Sequence, residues 1–476
     1  MTISEFILMI DDFAWGPLTL LLLVGTGFYL SLRVGFIQFT RIPYWMKNTA
    51  GKLFQKHEAG EGEVTPIQAL TTALAATVGT GNIAGVTGAI FVGGPGAVFW
   101  MWVAALMGMI TKYSEVVLAV HYRERNEAGD WVGGPMYYIQ NGMGENWKWL
   151  GNIFCVLACL AALGIGNATQ VQSIADAINN AIDAFTPNAG YSFMFLGNDV
   201  RVTTLIIGII LSFILALVLL GGIKRIGQVT EKLVPTMAVV YIAATLTVII
   251  TNFEYIGEVF RMIFVGAFNA EAAIGGGVGI AIMTSIKKGV GRGCFSNEAG
   301  MGSAPIAHAA TSETDPVKQG LYGIFEVFMD TIVICTMSAL TILSCYAAGG
   351  IDITWGTGGS ASNVAAAIST VFGGKISAVI IAVCLSFFAF STVLSWSLYS
   401  SRCCEYLLGA KATRVYQVFF VFFVIIGATM SLQDAWNLAD ALNGFMAFPN
   451  LIALLALSGV TIRLTKEHFE KVKAEK

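Results

Sequence analysis

Eleven apolar runs of about 20 residues each dominate the chain, and a run of that length is what an α-helix needs to cross the hydrocarbon of a bilayer. They fall at 14–33, 66–90, 97–120, 150–183, 202–222, 232–252, 264–286, 317–347, 376–400, 414–431 and 437–462. A bilayer offers the backbone no water, so a spanning segment must satisfy its own hydrogen bonds, and runs this long select helices over barrel strands. The expected fold class is an all-α integral membrane protein with about eleven transmembrane helices. With 56% hydrophobic and 12% charged residues, the composition excludes a soluble globular domain.

Charge sets the orientation. With the N-terminus outside, all of the 27 lysines and arginines except Arg201, Arg261 and Lys375 fall on the cytoplasmic side, as the positive-inside rule asks. Residues 1–13, with Asp11 and Asp12, then form an amphipathic lead-in at the outer surface, and the C-terminus is cytoplasmic. The basic residues lie in short loops and the net charge is −3, which argues against a nucleic-acid partner. The first run lacks a basic n-region and a small-residue cleavage site, so it reads as a retained helix.

Inside the second run, Ala75-Ala76-Thr77-Val78-Gly79-Thr80-Gly81-Asn82 is small, polar and glycine-broken. Unpaired backbone at mid-depth is tolerated only where it faces protein or a wet cavity, so the stretch reads as a helix unwound around a solute. Setting the first span aside leaves five plus five, an odd-numbered repeat that inverts. The seventh run carries a second glycine-rich stretch, Phe268 to Gly279, in the corresponding place. The domain expectation is an outer lead-in, first helix and cytoplasmic loop at 1–65, repeats at 66–263 and 264–462, and a basic cytoplasmic tail at 463–476. Each repeat holds one discontinuous helix.

A broken helix offers N–H groups at one new end and C=O groups at the other, which suits a zwitterion and a cation without charged side chains. Amides from Val78 to Asn82 would take a carboxylate, and carbonyls of Ala75 and Val78 a sodium ion. Hydroxyls on the ninth span, Ser391, Thr392 and Ser395, would complete an oxygen shell for a hard cation. Trp396 shares a face with Thr392 and would limit solute volume. In the fourth span, Gln170 is open to two readings, a solute ligand or an interhelical amide contact. Asp176, Glu271, Glu326, Asp330 and Asp440 are intramembrane ionisable candidates, whereas Lys112 and Glu115 read as a simple ion pair near a helix end.

Eight cysteines without a CxxC pair and four histidines without ligand spacing point to no transition-metal site and no cofactor. No nucleophile with a base stands out, so the chain does not read as an enzyme. A channel would need a repeated pore loop or a charged ring, and neither is present in the sequence.

Gly93-Gly94-Pro95-Gly96-Ala97-Val98-Phe99-Trp100-Met101-Trp102-Val103-Ala104-Ala105-Leu106-Met107-Gly108 resembles the signature of the alanine or glycine:cation symporter family, the sodium:alanine symporters. Gly79 to Gly85 and Phe295 to Pro305 also resemble family segments. The resemblance implies a cytoplasmic-membrane carrier of five-plus-five inverted-repeat fold that imports a small neutral amino acid with sodium. It implies a substrate pocket of Thr77, Gly79, Thr80, Gly81, Asn82, Gln170, Ile274, Gly275, Gly276, Thr392 and Trp396. By similarity to other five-plus-five sodium carriers, Ala75, Val78, Ser391, Thr392 and Ser395 would form the ion site. Phe295 to Pro305 would be a cytoplasmic gate or an interfacial loop helix. The alternative is a proton-coupled permease of the same fold, using Asp176, Glu271 or Asp330.

Overall fold

In a computed structural model, which describes residues 2–53, 55, 59–187, 190–195, 198–269, 282–429 and 433–475, the apolar runs are helices. The strands among the described residues are two short antiparallel hairpins in loops, Glu124–Arg125 with Trp131–Val132 and Ser192–Phe195 with Asn198–Arg201. Eight described helices are long and apolar enough to cross a membrane, and the pair Pro66–Thr77 and Gly81–Gly93, bent by 50° at its break, makes one more, the second span. The longest of the helices, Gly374–Thr429, is two spans, because Gly409 at φ 80° and ψ 172° interrupts it. Glycine adopts that positive φ without steric penalty. The ninth span is therefore 374–408 and the tenth 410–429.

A helix precedes the first span. Ile3–Ala14 is opened by a capping box between Thr2 and Glu5, and Gly16 and Pro17 start the span Pro17–Val34. Phe13 meets Phe445 of the eleventh span, Gln433–Ala456, at 6.2 Å between ring centroids. At the other terminus the expected basic tail is helical, Ser458–Ala474. It is pinned by Tyr113 to Thr465 (2.7 Å) and by His468 to both Tyr44 (2.8 Å) and Asp315 (2.7 Å).

The seventh span departs from the sequence reading. Helix Ile256–Phe268 lies along the first turns of the third span, Gly96–His121: Trp100 Nε1 donates to the Ala267 carbonyl (3.1 Å). Gly96 has no room for a side chain there, since a Cβ would come 2.2 Å from the Gly266 backbone. Helix Ile282–Asn297 starts at this same end, with Lys288 and Ser285 against Gly93 and Gly289 against Ala97. It then follows the third span inward until Asn297 and Ala299 reach Gly108. The chain turns through Glu298, Gly300 and Gly302, at φ 52°, 91° and 81°, and forms Ala304–His308. Val64, at the start of the second span, then donates its N–H to the Ala310 carbonyl (3.0 Å) and accepts from Ser312 (2.8 Å).

Residues 282–310 thus make one crossing from the Gly93 end to the Val64 end, broken at 298–303. The expected break at Phe268 to Gly279 falls almost entirely outside the described residues, which resume at 282. The cause of the misreading is that a helix enclosed by other helices need not be apolar. Lys287, Lys288 and Arg292 made this one look like a cytoplasmic loop, yet they sit at the Gly93 end. The charge count therefore loses three residues but keeps its sign.

Candidate functional site

The first break begins where Val78 leaves the helix, at ψ 88°. Two groups fix it. Asn82 Oδ1 accepts the Gly79 N–H (2.8 Å), and Thr392 crowds Gly79 so closely that a Cβ would lie 2.6 Å from its Oγ1. Asn82 itself is fully buried and turned away from the cavity, contrary to the expectation that it binds solute. Its Nδ2 donates to Asp330 Oδ1 (2.6 Å) and to the Asp330 carbonyl (3.3 Å), and Ser338 donates to its carbonyl (2.6 Å). Asp330 belongs to the π-helical stretch Phe328–Cys335 of the eighth span, Pro316–Ala347, and accepts Thr331 Oγ1 (2.8 Å) as well. Asn82 is a positioning residue that ties the break to the eighth span.

A small, partly enclosed cavity lies beside this break. Thr77, Gly79, Thr80 and Gly81 form one wall, Ile165 and Gln170 another, and Thr392 and Trp396 a third. Gln170 Oε1 accepts from Thr80 Oγ1 (3.2 Å), and its Nε2 donates to the Ile165 carbonyl (3.0 Å). The fourth span, Lys148–Leu163 and Thr169–Phe185, is wound as a π-helix at Gly164–Ala168 between its halves. That lets Gly166 press on Trp396, where a Cβ would come within 2.4 Å of the tryptophan Cβ.

A fourth wall is made by Phe295, Ser296 and Glu298 of the seventh crossing, a stretch the sequence reading puts in a cytoplasmic gate or loop helix, and by Asn443 of the eleventh span, which it does not single out. Glu298 Oε1 accepts the Trp396 indole N–H (3.1 Å), and its Oε2 accepts the Ser303 hydroxyl. Asn443 is 1% exposed, and its Oδ1 has no hydrogen-bond partner among the described residues. The available signals were a glutamate opening a glycine-rich run, Glu298 to Gly302, and an asparagine three residues after Asp440 on one helix face.

The ninth span meets the first break through its hydroxyls. Ser391 Oγ and Thr392 Oγ1 both donate toward the Ala75 carbonyl (3.2 and 3.1 Å), and Thr392 also reaches Ala76 (3.3 Å). Ser395 donates to Thr72 (2.6 Å), about one turn further from the break. Ala75, Ser391 and Thr392 are therefore brought together, Val78 ends the same half-helix, and Ser395 stands at the margin. Ile274, Gly275, Gly276 and Glu271 lie outside the described residues.

Below the cavity, toward the Val64 end, Lys112 and Glu115 do not pair as expected. Lys112 Nζ lies 3.3 Å from Glu326 Oε1, and His308 Nε2 lies 3.2 Å from Glu326 Oε2, all fully buried. Glu115 Oε1 instead accepts the N–H groups of Gly300 (3.0 Å) and Gly302 (3.1 Å) and the Asn450 amide (2.5 Å). One helical turn separates two different jobs: Lys112 neutralises the eighth span, and Glu115 holds the second break. Asp176, by contrast, is exposed.

A family model for the sodium:alanine symporter family matches residues 1–476. An uncharacterized transporter of Haemophilus influenzae is 42% identical over 99% of this chain and 98% of its own length. The sodium/alanine symporter AgcS of Methanococcus maripaludis is 46% identical over 98% of this chain and 97% of its own. Among solved structures, MhsT in complex with L-phenylalanine superposes with a TM-score of 0.58 at 14% identity, covering 86% of this chain and 99% of that one, a likeness of fold. With two discontinuous helices around one cavity and a match along its whole length, the chain belongs to the sodium:alanine symporter family.

Proposed function

We propose that this protein imports small neutral amino acids, alanine or glycine, together with sodium across the cytoplasmic membrane by alternating access, with its N-terminus outside and its C-terminus inside. The observation that carries this reading is the cavity at the first break. The cavity is small and is walled by the backbone of the break and by side chains of the fourth and ninth spans, which suits a small zwitterion once the walls part to admit it. The first N–H groups of a helix have no intrahelical partner, and Asn82 occupies that of Gly79, so the amides of Thr80 and Gly81 remain for the solute carboxylate. Glu298 and the unpartnered Asn443 Oδ1 offer acceptors to its ammonium group. Thr77, Gln170, Thr392 and Trp396 close the walls around the side chain.

Sodium would sit where the carbonyls of Ala75 and Val78 meet Ser391 and Thr392, with Ser395 at the edge. Each hydroxyl now donates a hydrogen bond and can turn its lone pair toward a cation instead. The relative AgcS is a sodium/alanine symporter by name, which favours sodium over a proton as the coupling ion. The two five-helix halves divide near 252–256, where the sixth span gives way to Ile256–Phe268, and they would rock around the fixed site.

Labelled alanine uptake into proteoliposomes tests the reading. Saturable accumulation under an imposed sodium gradient is the expected result. Accumulation under a proton gradient in the absence of sodium would overturn it in favour of the proton-coupled permease.

A further inference from the structure

The connection between the third and fourth spans carries the hairpin Glu124–Arg125 with Trp131–Val132. Its tip is closed by Asn126 and Asp130: the Asn126 N–H donates to the Asp130 carbonyl (3.0 Å), and Asn126 Oδ1 accepts the Asp130 N–H (2.8 Å). The hairpin sits at the Val64 end, which the proposed function places in the cytoplasm.

It is seated on the two broken helices without slack. Arg123, one residue ahead of the first strand, donates to the carbonyls of Ala309 (3.1 Å), Thr311 (2.5 Å) and Glu313 (3.0 Å), just past Ala304–His308. Trp131 donates its N–H to the Gly62 carbonyl (3.1 Å) and its indole N–H to Glu63 (3.0 Å), just ahead of Pro66–Thr77, and Arg125 pairs with Glu63 at 2.6 Å. The Arg123 and Arg125 guanidinium groups lie 4.3 and 4.1 Å from the Trp131 ring centroid. A Cβ on Gly62 would come 2.4 Å from the Gly129 carbonyl oxygen, and one on Gly133 would come 2.6 Å from the Ala309 Cβ. Separating these surfaces would strand backbone donors and acceptors.

Toward the ninth span the hairpin reaches through one ring of side chains. Arg402 donates to Asp130 (2.8 Å) and to Glu405 (2.7 Å), and Glu405 accepts the Asn126 amide (2.7 Å). The Arg402, Asp130 and Glu405 side chains keep 12, 28 and 19% of their exposure, so water can replace the partners at small cost. The chain beyond the hairpin stays with the ninth span, because Tyr406 donates to Gln140 (2.6 Å). The two attachments divide at Gly134, whose φ of 124° suits glycine.

We infer that the hairpin is a strap that latches the Val64 side. It travels with Pro66–Thr77 and Ala304–His308, pivots at Gly134, and releases that side when Asp130 and Asn126 part from Arg402 and Glu405. Transport by alternating access needs a seam that opens in every cycle, and this ring is weaker than the backbone bonds that hold the strap to the broken helices. The inference uses the proposed function only to name the side that opens.

Hydrogen exchange of the full chain in nanodiscs without sodium tests it. Asp130→Asn keeps the shape and removes one charge from the ring. It should speed exchange in Pro66–Thr77 and Ala304–His308 by about two- to fivefold, the loss of one partly exposed ion pair, and leave the hairpin as protected as before. Arg402→Gln should do the same. Unchanged exchange in both half-helices would overturn the latch. Loss of protection in the hairpin itself would overturn its attachment to the broken helices. In proteoliposomes, Asp130→Asn should also raise the external alanine concentration for half-maximal uptake about two- to fivefold, as the side facing the solute is populated less. Absence of alanine uptake by the unmodified protein would overturn the proposed function and leave the exchange result to decide the strap.

Discussion

The two breaks do the same topological job with opposite chemistry. The first, at Val78 to Thr80, is short and neutral: one asparagine side chain takes one N–H, and hydroxyls of the ninth span meet its carbonyls. The second, at Glu298 to Ser303, is longer, passes through three positive φ angles, and is clamped by the buried carboxylate of Glu115. Its neighbours Lys112, Glu326 and His308 extend that clamp into the eighth span. A break held by charge is costly to disturb, whereas a break held by hydroxyls and one amide can exchange those partners for a solute and an ion. The second should carry stability and the first should carry transport.

Lys112→Met attacks the clamp hardest, because it leaves Glu326 buried opposite only a histidine. Removing one member of a buried pair costs about 3–5 kcal/mol, so the thermal unfolding midpoint in detergent should fall by several degrees. An unchanged midpoint would break the contrast. Gly79→Ala attacks the first break instead. Overpacking against Thr392 costs about 1–3 kcal/mol and displaces the break, so alanine binding should weaken severalfold, with a fall in the unfolding midpoint smaller than that of Lys112→Met. Asn82→Ala should weaken alanine binding by about fivefold without its side chain touching the solute, since one buried hydrogen bond to the break is worth about 1 kcal/mol. Thr392→Val keeps shape and removes the hydroxyl. It should raise the sodium concentration for half-maximal uptake about two- to tenfold, and an unchanged sodium dependence would remove Thr392 from the ion site.

The smallest effect lies outside the membrane. Burial pushes the Asp315 carboxyl up, but the His468 hydrogen bond and charge outweigh it, so the net shift is downward from 3.8. A carboxylate lowered in the folded state stabilises that state above its ordinary value and loses this contribution as pH falls through the lowered one. Hydrogen exchange in Ser458–Ala474 should therefore stay slow at neutral pH and quicken only in strong acid. Equal protection at both would show that His468 does not pin this helix.

The same contrast explains what was legible in the sequence. The first break announces itself, because glycines and threonines interrupt an apolar run, and the hydroxyls of Ser391 and Thr392 stand out on their span. Side-chain directions were not legible: Asn82 has the composition of a solute ligand and the geometry of a strut. The second break was hidden by its own surroundings. Ile282–Asn297 packs against the first, second and third spans and turns Lys287, Lys288 and Arg292 toward the cavity beside the N-terminal helix, so no apolar run marks it and the glycines at 275–279 stand out instead. Lys112 and Glu115 show the same limit, because i,i+3 spacing says that two side chains share a face but not that each has a better partner on another helix.

The contact between Gly166 and Trp396 also constrains how this cavity can change over generations. A side chain at position 166 is impossible while the tryptophan stands, so Gly166→Ala cannot come first. Shrinking Trp396 opens the cavity and, in the same step, frees position 166 to vary. A lineage moving toward bulkier cargo must pass through the tryptophan before the glycine, and the return journey must restore the glycine before the tryptophan can come back.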